Sequence, residues 1–109
     1  LKARGHGRIL NIAAAAANRA ALGMGAYAAS KAGVMRLTEA LAEELKDAYI
    51  TVNALLPSII DTPQNRADMP DAEFDRWVRP EQLAATLLFL ASDAAAAITG
   101  ACIPVTGRV

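Results

Sequence analysis

The sequence has 109 residues, with 11 Lys and Arg balanced by 11 Asp and Glu, so its formal net charge is zero. That balance excludes the basic excess that nucleic acids and membrane surfaces select for, and neither is expected as a partner. One cysteine (Cys102) and one histidine (His6) exclude a disulfide framework and a cysteine- or histidine-rich metal site, so no metal is expected.

Apolar residues make up 54% of the chain, but 26 of its residues are alanine, which add little core volume. The length suits one domain at most. No apolar run approaches the roughly 20 residues that cross a bilayer, and Leu1–Gly7 leads into no signal-peptide core. A cytoplasmic α/β piece is the expectation, and the start at Leu1 rather than Met suggests a piece of something longer.

In chain order, Arg8-Ile9-Leu10-Asn11-Ile12-Ala13 is an apolar run suited to a buried strand and too short for a helix. Ala14 to Gly25 reads as a small-residue loop broken by Gly23 and Gly25. From Ala26 to about Ala48, Val34, Leu37, Leu41 and Leu45 recur at three- and four-residue spacings and predict a long helix with one apolar stripe. Tyr49 to Ile60 predicts a second buried strand, stopped by Pro57. In the polar stretch Asp61 to Arg79, a short helix is predicted over Asp71–Trp77 with Asp71 as its cap. Pro80 opens a helix to about Ser92. An Ala-rich turn and Gly100 then lead to a last strand, Ala101 to Thr106. The order strand, helix, strand, helix, strand implies a parallel sheet with helices packed on it.

Tyr27 and Lys31 stand four residues apart at the start of the long helix and share a face. An ammonium beside a phenol favours the phenolate, which suits the pair to proton transfer. By itself the spacing is common on solvated helix faces; its surroundings make it specific.

The run Ala26-Tyr27-Ala28-Ala29-Ser30-Lys31-Ala32-Gly33-Val34, after a strand and a small-residue loop, resembles the Tyr-x-x-x-Lys region of the short-chain dehydrogenase/reductase family. Gly7–Ile12 is similar to that family's fifth strand, and Val52–Thr62 to its sixth strand and the following turn. Leu88–Asp93 and Thr99-Gly100 are similar to the close of its last helix and the entry to its last strand. The resemblance covers essentially the whole chain. It implies the second half of a Rossmann-type doubly wound parallel sheet, and an oxidoreductase using NAD(H) or NADP(H) on a small-molecule substrate. Tyr27 would be the proton donor or acceptor, and Lys31 would hold the nicotinamide ribose. Pro57, Ser58, Ile59, Ile60 and Thr62 would line the nicotinamide, Thr62 and backbone groups near Ile59 and Ile60 holding its carboxamide. The helix over 26–48 would build a homodimer or homotetramer.

Two positions depart from the family. A catalytic serine is expected thirteen residues before the tyrosine, where this chain has Ala14, flanked by Ala13 and Ala15. Ser58 also stands where a glycine is usual. A subgroup, the dihydropteridine reductases, shares the missing serine. The chain is further similar to it in Gly23–Tyr27, Leu56–Arg66 and Met69–Trp77. A quinonoid dihydropterin accepts hydride into a conjugated ring and a proton at nitrogen, so loss of the hydroxyl is chemically tolerable.

Phe74 and Trp77 read as packing before pocket, Arg66 and His6 as surface, and Cys102 as a small buried hydrophobe. The chain contains no Gly-rich phosphate-binding turn, so the piece carries the catalytic pair without the cradle for the cofactor's phosphates. Three functions are therefore expected in order: a reductase with a dihydropteridine reductase-like site, a carbonyl or alcohol oxidoreductase of the same family, and a non-catalytic piece associating through the Val34–Leu45 stripe.

Overall fold

The computed structural model describes residues 4–15 and 22–109. Three strands, β1 (Gly7–Ile12), β2 (Ile50–Pro57) and β3 (Cys102–Val105), form a sheet in the order β1-β2-β3, with both pairings parallel. Between β1 and β2 runs the helix α1 (Gly25–Leu45). Between β2 and β3 lie α2 (Pro63–Asp68) and α3 (Pro80–Ala91).

All eight residues of β2 are buried, as a central strand covered on both faces must be. Alternate side chains part to opposite faces. Ile50, Val52 and Leu56 meet the α1 side, packing with Met35, Ala42 and Ala13. Leu55 meets the α3 side, packing with Leu90, Ala95, Leu10 and Leu87. The expected α/β class and the parallel sheet with helices on both faces are therefore present.

The helix stripe is displaced from its expected position. The deepest residues of α1 are Ala28, Met35, Thr38 and Ala42, with Val34, Leu41 and Leu45 beside them and Leu37 55% exposed. Small residues allow the helix to approach the sheet closely. Thr38 donates to the Val34 carbonyl at 2.7 Å and accepts from Asn11 Nδ2 at 3.0 Å, which bonds α1 to β1 through a buried polar relay.

The helix predicted over Asp71–Trp77 does not form. That stretch holds only a 3-10 turn, Phe74–Arg76, while the helix stands upstream as α2. The reason is tertiary: Val78 makes a parallel bridge with Ile60, Asp61 N donates to Val78 O at 2.7 Å, and Val78 N donates to Ile59 O at 3.0 Å, drawing the chain out of helix. α2 has a local cause: Thr62 Oγ1 accepts from Asn65 N at 3.1 Å, and Pro63 occupies the first turn. The loop expected over Ala14–Gly25 includes residues 16–21, which lie outside the described residues.

Candidate functional site

In a parallel α/β sheet, ligands meet the carboxyl ends of the strands. Here those ends present Ala13 and Ala14 after β1, Pro57 at the end of β2 with Ser58 after it, and Thr106 after β3. Ala13 N continues the ladder to Leu55 O at 2.8 Å, and Ala14 is 8% exposed. Ser58 Oγ donates to the Thr106 carbonyl at 2.9 Å, joining the turn after β2 to the chain after β3. Ser58 does not take a positive φ, so the residue where a glycine is usual carries its Cβ without strain.

Tyr27 lies in the first turn of α1 and is 45% exposed, and Lys31 follows one turn later. The Lys31 ammonium stands 5.8 Å from the centre of the Tyr27 ring, so the two residues meet on one face as their spacing requires. Ser30 Oγ is occupied by the Tyr27 carbonyl at 2.8 Å. The open phenol and the adjacent ammonium lie together at a surface that a ligand can cover.

Ile59, Ile60 and Thr62 follow Pro57 along the same strand exit. Asn65 Nδ2 donates to the Ile60 carbonyl at 2.7 Å, so α2 fixes the turn by side chain as well as by cap. The Thr62 hydroxyl accepts from Asn65 N, a bond that does not use its own proton. These residues fit a nicotinamide amide in kind: a hydroxyl donor and backbone groups held on a fixed turn.

The sequence reading missed how Arg66 and Phe74 are joined. Arg66 makes a two-pronged ion pair with Asp61 at 2.7 and 2.9 Å and places its guanidinium 4.6 Å from the Phe74 ring centre. The bonds from Arg66 hold the Asp61 carboxyl below the ordinary carboxylate range. Phe74 packs on Trp77 with ring centres 4.9 Å apart, and Trp77 is buried. Behind this loop the tail after β3 is tied down: Arg108 N donates to Arg76 O at 2.9 Å and Arg76 Nη2 donates to Arg108 O at 2.7 Å. Together these segments wall a cavity of about 380 Å³ beside Asp61. An Arg five residues after an Asp, with an aromatic eight further on, is not a spacing that announces such contacts.

Among the described residues, no group of three or more His, Cys, Asp or Glu is placed to hold a metal, and no helix is long and apolar enough to cross a membrane.

Comparison with known proteins agrees with this geometry. A family model described as enoyl-(acyl carrier protein) reductase matches residues 1–107. The chain is 41% identical over 110 residues to a 3-oxoacyl-[acyl-carrier-protein] reductase of Pseudomonas aeruginosa, covering 93% of this chain and 44% of that one. It is 39% identical over 116 residues to an acetoacetyl-CoA reductase of Rhizobium meliloti, covering 98% and 48%. Among solved structures, a short-chain type dehydrogenase/reductase from Mycobacterium ulcerans superposes with a TM-score of 0.89 at 32% identity, covering 98% of this chain and 42% of that one. A 3-ketoacyl-(acyl-carrier-protein) reductase from Brucella melitensis, solved with NADH, gives 0.86 at 36% identity, covering 98% and 48%. The chain thus spans less than half the length of these relatives. With sheet, paired Tyr27 and Lys31, and relatives in agreement, the chain belongs to the short-chain dehydrogenase/reductase family of oxidoreductases.

Proposed function

We propose that the intact protein is an NAD(P)-dependent oxidoreductase in which this chain supplies the proton-transfer half of the site. The observation that carries the reading is the Tyr27–Lys31 pair, an exposed phenol with an ammonium 5.8 Å from its ring centre. A bound nicotinamide supplies or accepts the hydride. The Tyr27 phenol gives its proton to the substrate atom left electron-rich by hydride arrival, or takes it back in the reverse direction. Lys31 holds the cofactor's ribose hydroxyls. Pro57, Ser58, Ile59, Ile60 and Thr62 position the nicotinamide, Thr62 by its hydroxyl proton.

The substrate on this reading is a carbonyl compound, in keeping with relatives named as reductases of acetoacetyl-CoA and of 3-oxoacyl groups on acyl carrier protein. A specific observation favours a second substrate. Ala14 is buried at the end of β1 and has no hydroxyl for a developing alkoxide. A quinonoid dihydropterin, protonated at nitrogen, needs no such donor. Initial rates of the intact protein with acetoacetyl-CoA and with a quinonoid dihydropteridine separate the two.

The reaction class is tested by Tyr27→Phe in the intact protein. Turnover should fall by roughly 10²–10⁴-fold, the usual worth of a positioned proton donor, while NADH or NADPH still quenches or enhances fluorescence on binding. Unchanged turnover would overturn the role of Tyr27. The protein also assembles with itself through the outer face of α1, where Leu37 is 55% exposed.

A further inference from the structure

The turn after β2 leaves the sheet with weak backbone support. Ala13 N donates to Leu55 O, and in a parallel ladder the next bond would run from residue 57 back to the Ala13 carbonyl. Residue 57 is proline and has no N–H to give, so that bond is not made. On the β3 side, Ser58 N reaches Val105 O at 3.3 Å, which is long for such a bond. The Ser58 hydroxyl supplies what the ladder lacks there, donating to the Thr106 carbonyl at 2.9 Å.

The segment that receives this bond is itself fixed. The Thr106 carbonyl also accepts from Val109 N at 3.2 Å, closing a turn over 106–109. Within it, Gly107 lies so near the loop that a Cβ would stand 2.8 Å from the Arg76 carbonyl oxygen. Arg108 N donates to that same oxygen at 2.9 Å, and Arg76 Nη2 donates back to the Arg108 carbonyl at 2.7 Å. Ser58 therefore joins the turn to a firm support. A glycine in its place would leave only the long backbone bond.

We propose that Ser58 is a positioning residue for the nicotinamide: its hydroxyl fastens the turn Pro57–Thr62 to the chain after β3, so the cofactor meets a turn already set. The inference rests on reading that turn as the nicotinamide's. The hydroxyl is engaged by Thr106 and acts through the backbone of Ile59, Ile60 and Thr62, not by touching the cofactor. Where a turn can take other arrangements, only the fraction in the right one binds, and the apparent Kd rises by the inverse of that fraction.

In the intact protein, NADH and NADPH are titrated by fluorescence, and amide exchange at positions 58 and 61 is followed without cofactor. Ser58→Ala should weaken nucleotide binding by roughly two- to tenfold, the worth of one such bond, and speed exchange at both amides. In steady state, the KM for the nucleotide should rise by more than kcat falls. Ser58→Thr keeps the hydroxyl and should restore both binding and exchange. The proposal is overturned if Ser58→Ala binds as the parent does, whether or not its exchange quickens. Weakened binding with parental exchange would put the hydroxyl on the cofactor itself and overturn the positioning role. Ser58→Thr failing as fully as Ser58→Ala would trace the effect to side-chain size and overturn it too. If the parent binds neither nucleotide, the oxidoreductase reading fails and this inference with it. If the parent binds and Ser58→Ala matches it, this inference alone fails.

Discussion

Ala14 and Gly107 show how single positions constrain this chain. Ala14 stands buried just past the carboxyl end of β1, thirteen residues before Tyr27, and has no hydroxyl. Ala14→Ser should raise carbonyl reduction by the intact protein by roughly 10–10³-fold, since one preorganised donor to a developing oxyanion is worth about that much. Steady-state rates with acetoacetyl-CoA measure it, and a rate that does not rise would remove alkoxide stabilisation as the missing ingredient. Gly107 has φ +61°, and a Cβ there would lie 2.8 Å from the Arg76 carbonyl oxygen. Both strain and collision oppose a side chain, so Gly107→Ala should lower the unfolding free energy by roughly 1–3 kcal/mol, read as a shift in denaturant midpoint. Ala14 was legible from its spacing to Tyr27. Gly107 was not, because its partner is a backbone oxygen from a distant turn.

At the scale of elements, the loop between β2 and α3 is held by charge and stacking more than by its own secondary structure. Asp61 grips Arg66, Arg66 stacks on Phe74, and Phe74 packs on the chain's one tryptophan, Trp77. The folded Asp61 carboxyl is held below its ordinary value, so the pair's contribution is complete above the unfolded value, near 4, and fades as pH falls through the depressed folded value. Trp77 emission should therefore be flat from about pH 8 to 5 and change below about pH 4. Asp61→Asn should abolish that step; a step of the same size in the variant would detach it from this pair. The strands and the two longer helices were legible because apolar spacing marks each element, although in α1 small residues rather than the leucines lie deepest. The loop was misread because a bridge between Ile60 and Val78 outweighs the local preference of Asp71–Trp77. α2 starts instead at Thr62-Pro63, where the threonine caps the helix and the proline occupies its first turn.

At the scale of the molecule, among the described residues β1 and β3 each pair on one side only, and the outward helix faces carry exposed apolar side chains: Leu37 on α1, Leu88 and Phe89 on α3. Their exposures of 55%, 72% and 49% are high for residues of this size. The intact protein should run as an oligomer in size-exclusion chromatography with light scattering, and Leu37→Glu should shift it toward smaller species. An unchanged mass would move the interface away from α1. The family was legible along the whole length because its motifs are spaced by strand and helix geometry.

The paired bonds between Arg76 and Arg108 also bear on synthesis. Their bonding partners are 32 residues apart in the chain. A ribosome makes the loop and its aromatic pair well before it makes the segment that fastens them. Until Arg108 has been added and has cleared the exit tunnel, Phe74 and Trp77 lack that anchorage, and the nascent loop is open to chaperones and proteases that the finished fold excludes.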